Sequence, residues 1–164
     1  MGLNVNGGLL TMDPMYLDLL EPPCWELNGE ADPTVAFATI FELFESTDTL
    51  VIESAIPSKE ALLAMVAISD RTGESETTVN GDTGRGYRFE FRLGRTIPEE
   101  LVAICENHAE PEYCDVCFVF RNGRPILLWW DFPENFICLR PELSTALVST
   151  FAERTGLTPE RIEE

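Results

Sequence analysis

Basic residues are scarce in this chain of 164 residues. Lys59 is its single lysine and His108 its single histidine, and Lys and Arg together number 11 against 29 aspartates and glutamates. The formal net charge is therefore −18. Because Lys and Arg side chains that neutralise phosphates supply most nucleic-acid affinity, we expect no direct binding to nucleic acid. One imidazole also excludes chemistry that requires two.

Long apolar runs and a disulfide framework are missing as well. No stretch approaches the roughly 20 apolar residues of a transmembrane helix. The N-terminal segment before Pro14 contains neither a basic residue nor a sustained apolar run, so it does not resemble a secretory signal. Five cysteines is an odd number, and no even disulfide framework of a small secreted protein is visible. We therefore expect reduced thiols and a cytoplasmic protein that does not bind membranes.

Hydrophobic patterning predicts an α+β fold. Residues 87–93 alternate between apolar and charged side chains, which is typical of a strand with one buried face. Asp32-Pro33 predicts the start of a helix, because Asp is a favoured N-cap and Pro suits the first helical position. Thr96 and Glu99 have the spacing of a capping box for a later helix. Asn122-Gly123 is a strong β-hairpin signal.

The order of these elements predicts a topology. Residues 49–121 are expected to alternate as β-α-β-β-α-β, the order of a ferredoxin-like unit. The hairpin at Asn122-Gly123 is expected to add a fifth strand, and a C-terminal helix to cover the sheet. The sequence thus predicts a single domain with a mixed or antiparallel sheet of about five strands. The predicted domain consists of an irregular N-terminal arm (1–31), a core (32–156) and an acidic C-terminal tail (157–164).

One cysteine and histidine spacing is typical of a metal site. Cys105, His108, Cys114 and Cys117 form two close pairs, and zinc in structural sites takes four such ligands at tetrahedral corners. The alternative, which we favour at this stage, is that the three cysteines are ordinary core residues, because free cysteine is among the most buried residue types. We therefore expect no cofactor, with structural zinc as the alternative.

The charge favours a binding protein over an enzyme. A strongly acidic surface attracts a basic partner and accelerates association with it. We therefore predict a small acidic inhibitor, of the immunity or anti-defence type, that docks on a basic protein such as one that binds nucleic acid. The oligomeric state does not follow from the sequence. The residues predicted to contact the partner are Glu42, Glu45, Asp48, Asp131 and Glu134.

Two other functions stay open at this stage. One is a small enzyme or ligand-binding domain with a cleft near Trp129, Trp130 and Asp131, because an aromatic wall beside a carboxylate suits a small polar ligand. The other is an accessory domain that zinc stabilises. No nucleophile elbow, zinc-protease motif or phosphate-binding loop is present to favour an enzyme.

Overall fold

Eight strands form one open sheet in the computed structural model, which describes Leu19 and residues 21–55, 57–79, 82–130, 132 and 136–164. Every neighbouring pair of strands is antiparallel, and the order across the sheet is β3-β4-β2-β5-β6-β7-β1-β8. The strands are β1 (Cys24–Asn28), β2 (Thr49–Ser54), β3 (Arg71–Val79), β4 (Asp82–Arg92), β5 (Val116–Arg121), β6 (Arg124–Trp130), β7 (Phe136–Leu139) and β8 (Thr158–Ile162).

Three of the four α-helices that the structure describes begin at side-chain caps that the sequence supplies. They are α1 (Pro33–Leu43), α2 (Lys59–Ile68), α3 (Glu99–Asn107) and α4 (Thr145–Thr155), and a short 3-10 helix spans Glu110–Glu112. The Asp32 carboxylate accepts a hydrogen bond from the backbone N–H of Val35, which confirms the predicted start of α1. The capping box predicted for α3 is wrong, because its N-cap is Pro98, whose side chain cannot accept a hydrogen bond.

The expected sheet of about five strands is wrong, since the sheet has eight. Residues 49–121 do alternate as β-α-β-β-α-β, and β6 adds a strand next to β5 as expected, but β7, β1 and β8 continue the same sheet beyond β6. Two of the additional strands arise where none was expected: β1 within the predicted irregular arm and β8 within the predicted acidic tail. They pair with each other, and β1 also pairs with β7, so both ends of the described chain complete one half of the sheet.

The main core lies between the four helices and one face of the sheet. Alternate strand residues such as Leu50, Ile52 and Trp129 belong to one buried cluster with side chains from all four helices. Aromatic rings fill much of it, with Phe37 stacked on Phe132 at 4.4 Å between ring centroids. This burial is the main favourable contribution to folding, at roughly 25 cal/mol per Å² of apolar surface.

The opposite face of the sheet has a smaller buried cluster, to which none of these helices contributes. Because side chains alternate along a strand, Val51 and Phe118 point away from their neighbours in the main core. We call this set the second-face cluster; its buried members are Leu19, Cys24, Val51, Phe118, Leu128 and Cys138.

Candidate functional site

The structure does not gather the four predicted zinc ligands around one point. Within the described ranges, only one group of three or more His, Cys, Asp and Glu ligand atoms lies within 4.8 Å of one another, and it contains none of these four. The Cys114 thiol lies against that of Cys117, whereas Cys105 lies beside the Tyr113 hydroxyl. His108 faces Glu112, with 3.5 Å between the imidazole Nδ1 and the carboxylate Oε2. Zinc at these residues stays a prediction.

Burial makes these thiols unreactive. It raises the pKa of Cys105 to about 12, and it raises the pKa of Cys114 well above its ordinary value because that side chain is fully enclosed. A thiol attacks as the thiolate, so both groups are poor nucleophiles at neutral pH. This agrees with their interpretation as core residues.

The group of ligand atoms that the structure does bring together consists of Cys24, Glu26 and Cys138. Cys24 and Glu26 are two residues apart on β1 and therefore share one face of the sheet. The register of β1 with β7 places Glu26 opposite Cys138 and Cys24 diagonally across from it. This cluster could hold a metal ion. Sequence reasoning missed it because the ligands lie far apart in the chain and the pairing of β1 with β7 was not predicted.

The surroundings of this group are apolar and negatively charged. Both thiols belong to the second-face cluster, with exposed fractions of 1% for Cys24 and 0% for Cys138. Burial raises the pKa of the Cys24 thiol, and the negative charge of Glu26 raises it further. The pKa of Cys138 is raised by burial first and then by Cys24 and Glu26. The two thiols therefore stay protonated at neutral pH unless a cation binds.

Three of the five acids predicted to contact a partner are held in ion pairs within the protein. The side chain of Asp48 is fully buried and accepts hydrogen bonds from Arg121 Nε and Nη2 at 2.8 and 2.7 Å, so its charge is compensated within the protein. Glu45 also reaches Arg121, at 3.1 Å, and Glu42 lies 2.8 Å from Arg154 of α4. These arginines neutralise much of the charge around the end of α1.

Uncompensated acids are instead concentrated on α3 and the segment after it. Residues 99–115 contain six acids and neither Lys nor Arg. Glu99, Glu100 and Glu106 are exposed and Glu110 is partly exposed, and none of the four forms an ion pair with another described residue. Glu99 and Glu106 are two turns apart and so lie on one side of the helix. We call the set Glu99, Glu100, Glu106 and Glu110 the α3 acidic surface.

The predicted aromatic cleft does not involve Trp129. Its side chain is fully buried, and its ring contacts those of Phe132 and Phe151 at 5.0 and 6.1 Å between centroids. Trp130 is partly buried at the border of the second-face cluster. Asp131 and Glu134 lie outside the described residues.

A cavity of about 180 Å³ lies elsewhere, between the segment before β1, the start of β6 and the residues after β7. Its lining residues are Leu19, Glu21, Pro22, Pro23, Arg124, Arg140, Pro141 and Glu142. Arg124 and Glu142 pair with each other across it at 3.2 Å. Arg140 is buried, with its Nε donating to the Pro125 carbonyl at 3.0 Å. These polar groups therefore satisfy one another and the backbone rather than converging on a ligand.

Within the described ranges, no helix has both the length and the apolar character that crossing a bilayer requires. All five cysteines are free thiols.

Comparison of the chain with protein-family models, with curated proteins and with solved structures finds no match.

Proposed function

We propose that this chain is a non-catalytic acidic protein that docks on a basic protein partner through the α3 acidic surface. The observation that carries the proposal is the contrast between two sets of acids. Those at the end of α1 are paired with Arg121 and Arg154, whereas those of the α3 acidic surface have no described ion-pair partner. Only the second set is free to contribute its charge to an interface.

Charge complementarity of this kind acts first on the rate of association. A surface of one sign steers a partner of opposite sign and raises the association rate by factors of roughly 10 to 1,000. The attraction between exposed charges is screened over about 8 Å at physiological ionic strength, so it weakens as salt rises. The proposed partner is a basic protein that binds a nucleic acid through its positive surface. The acidic protein would inhibit that partner by covering this surface.

The remaining parts of the proposal concern compartment and metal. We propose a cytoplasmic location, which five free thiols support because disulfides form in oxidising compartments. Structural zinc at Cys105, His108, Cys114 and Cys117 is supported only by their spacing and by the proximity of Cys114 to Cys117. One equivalent of zinc in protein purified without added metal, lost on substitution of His108, would support that site.

The experiment compares two charge-reversed variants that change the net charge equally. The α3 variant carries Glu99→Lys, Glu106→Lys and Glu110→Lys. The control variant carries Glu60→Lys, Glu153→Lys and Glu164→Lys, at exposed acids outside the α3 acidic surface that form no ion pair with a described residue. Circular dichroism and thermal melting first establish that both variants fold like the wild type.

Each protein is then immobilised, and the basic protein that the wild type captures from host lysate is purified for kinetics. We expect the α3 variant to associate at least about tenfold more slowly at low salt, and the control variant to stay within about threefold of the wild type. Equal slowing of both variants would mean that total charge and not this surface is responsible. A captured partner that is acidic would contradict the proposal altogether.

A further inference from the structure

The ligand atoms of Cys24, Glu26 and Cys138 are brought together by backbone pairing. Glu26 and Cys138 are directly opposite in the β1–β7 ladder, and Cys24 is two residues before Glu26 on the same face. One ligand atom of each residue lies within 4.8 Å of those of the other two. Hydrogen-bonded strands fix these positions, so the group is formed without any rearrangement of a loop.

A second acid lies on β8, the strand on the other side of β1. The register of β1 with β8 places Glu160 directly opposite Glu26, so the two acids share a face. Like charges at such positions are destabilising unless a cation lies near them. Neither acid forms an ion pair with a basic residue in the part of the chain that the structure describes.

The nearest basic residue of β8 does not supply that cation. Arg161 follows Glu160 directly and therefore points to the other face, where its guanidinium lies 5.3 Å from the centre of the Trp25 ring. The row formed by Cys138, Glu26 and Glu160 across β7, β1 and β8 thus combines one thiol with two carboxylates. Cys24 adds a second thiol beside it.

The chemistry of these donors selects the kind of cation. Zn²⁺ binds cysteine sulfur and carboxylate oxygen in tetrahedral sites, whereas Ca²⁺ and Mg²⁺ prefer sites made only of oxygen. Two thiolates and a carboxylate also provide the negative charge that a divalent ion needs in apolar surroundings. Both thiols are almost completely buried, so this site is shielded from solvent on its sulfur side.

We propose that Cys24, Glu26 and Cys138 bind one zinc ion, with Glu160 positioned for the fourth ligand. This site shares no residue with the α3 acidic surface, so the proposal of a metal site is independent of the proposed docking function. The ion joins β7, β1 and β8 and so ties the two ends of the described chain to each other. Its role is structural, because folding and metal binding are coupled when the ligands come from distant parts of a chain.

The test uses Co²⁺ as a spectroscopic substitute for zinc. Full-length protein is purified, stripped of metal under reducing conditions and titrated with Co²⁺. We expect one equivalent to bind, with a thiolate-to-cobalt charge-transfer band and the visible bands of a tetrahedral site. Addition of Zn²⁺ should displace the cobalt and raise the thermal melting temperature above that of the metal-free protein.

Variants assign the ligands. Cys24→Ser and Cys138→Ser should abolish the charge-transfer band, and Cys114→Ser is the matched control because that thiol is equally buried. Glu26→Gln replaces a partly exposed side chain with one of the same shape, so the variant should fold even where a cysteine variant does not. We expect it to weaken binding by roughly tenfold or more, and Glu160→Gln to weaken it less.

Two results would overturn the proposal. One is the absence of stoichiometric cobalt binding by the reduced wild-type protein. The other is a charge-transfer band that survives Glu26→Gln and Cys24→Ser but is lost in Cys114→Ser, which would place the metal at the set predicted from spacing instead.

Discussion

Substitution of Asp48 tests how the turn between α1 and β2 is held. Its buried carboxylate accepts three hydrogen bonds, two from Arg121 and one from the backbone N–H of Glu45 at 3.0 Å. Removal of one member of a buried ion pair costs about 3 to 5 kcal/mol. Because Arg121 is 30% exposed and water can solvate it once the acid is gone, we expect the lower part of that range. Asp48→Ala should therefore lower the free energy of unfolding by about 3 kcal/mol.

The surface pair Glu42–Arg154 is the matched control. Its two side chains are about half exposed, at 47% and 45%, so Glu42→Gln should cost less than about 1 kcal/mol. Arg121→Ala should cost at least as much as Asp48→Ala, because it leaves a fully buried carboxylate without its counter-ion. The double variant should then be more stable than the sum of the two losses predicts, by roughly 2 kcal/mol.

Urea denaturation followed by tryptophan fluorescence measures these differences, provided that the slopes of the transitions agree between variants. If Asp48→Ala and Glu42→Gln lower the free energy of unfolding by amounts that agree within about 0.5 kcal/mol, the ion pair at Asp48 does not stabilise the fold as its geometry indicates. Additive losses in the double variant would likewise contradict the direct interaction between Asp48 and Arg121.

Further predictions concern β4 and β2. Phe89→Ala should cost about 3 to 5 kcal/mol because the ring is fully buried. Arg88→Ala on the opposite face should cost less, about 1 to 2 kcal/mol, because it removes a hydrogen bond to the partly buried Glu53; urea denaturation of both variants measures the difference. Burial raises the pKa of Glu53 despite the opposing effect of Arg88. The charge of Glu53 therefore lowers the free energy of unfolding, and the full loss is present when the pH exceeds the pKa of Glu53 in the folded protein. The loss disappears as the pH falls below the pKa of Glu53 in the unfolded chain. Glu53→Gln should thus improve stability relative to the wild type at pH 7 more than at pH 4, and an equal effect at both would contradict this.

Local signals in the sequence identified individual elements where the chain satisfies its own backbone. The Asp32 carboxylate accepts a hydrogen bond from the Val35 N–H and so begins α1, as the Asp32-Pro33 pair predicts. Asn122-Gly123 forms the turn between β5 and β6 with both residues at positive φ, which is the conformation that these residue types favour. In these elements, the residues that determine the local backbone structure lie within a few positions of one another in the sequence.

The sequence did not reveal elements that depend on distant partners. β8 is an edge strand with mostly exposed side chains, so it has no apolar alternation, and Pro159 is tolerated there because an edge leaves one side of the strand unpaired. Without β8 and β1, the register that joins Cys24 to Cys138 could not be predicted. The burial of Asp48 was not predicted for the same reason, because its partner Arg121 lies on a different element.

The measurement that tests the docking surface most directly is hydrogen exchange of the protein alone and in complex with its captured partner. We expect slower exchange in the complex for backbone amides of residues 99–115, and unchanged exchange for the end of α1 and the turn that follows it. Protection confined to residues 42–48, or spread evenly over the chain, would contradict the assignment of the interface to the α3 acidic surface.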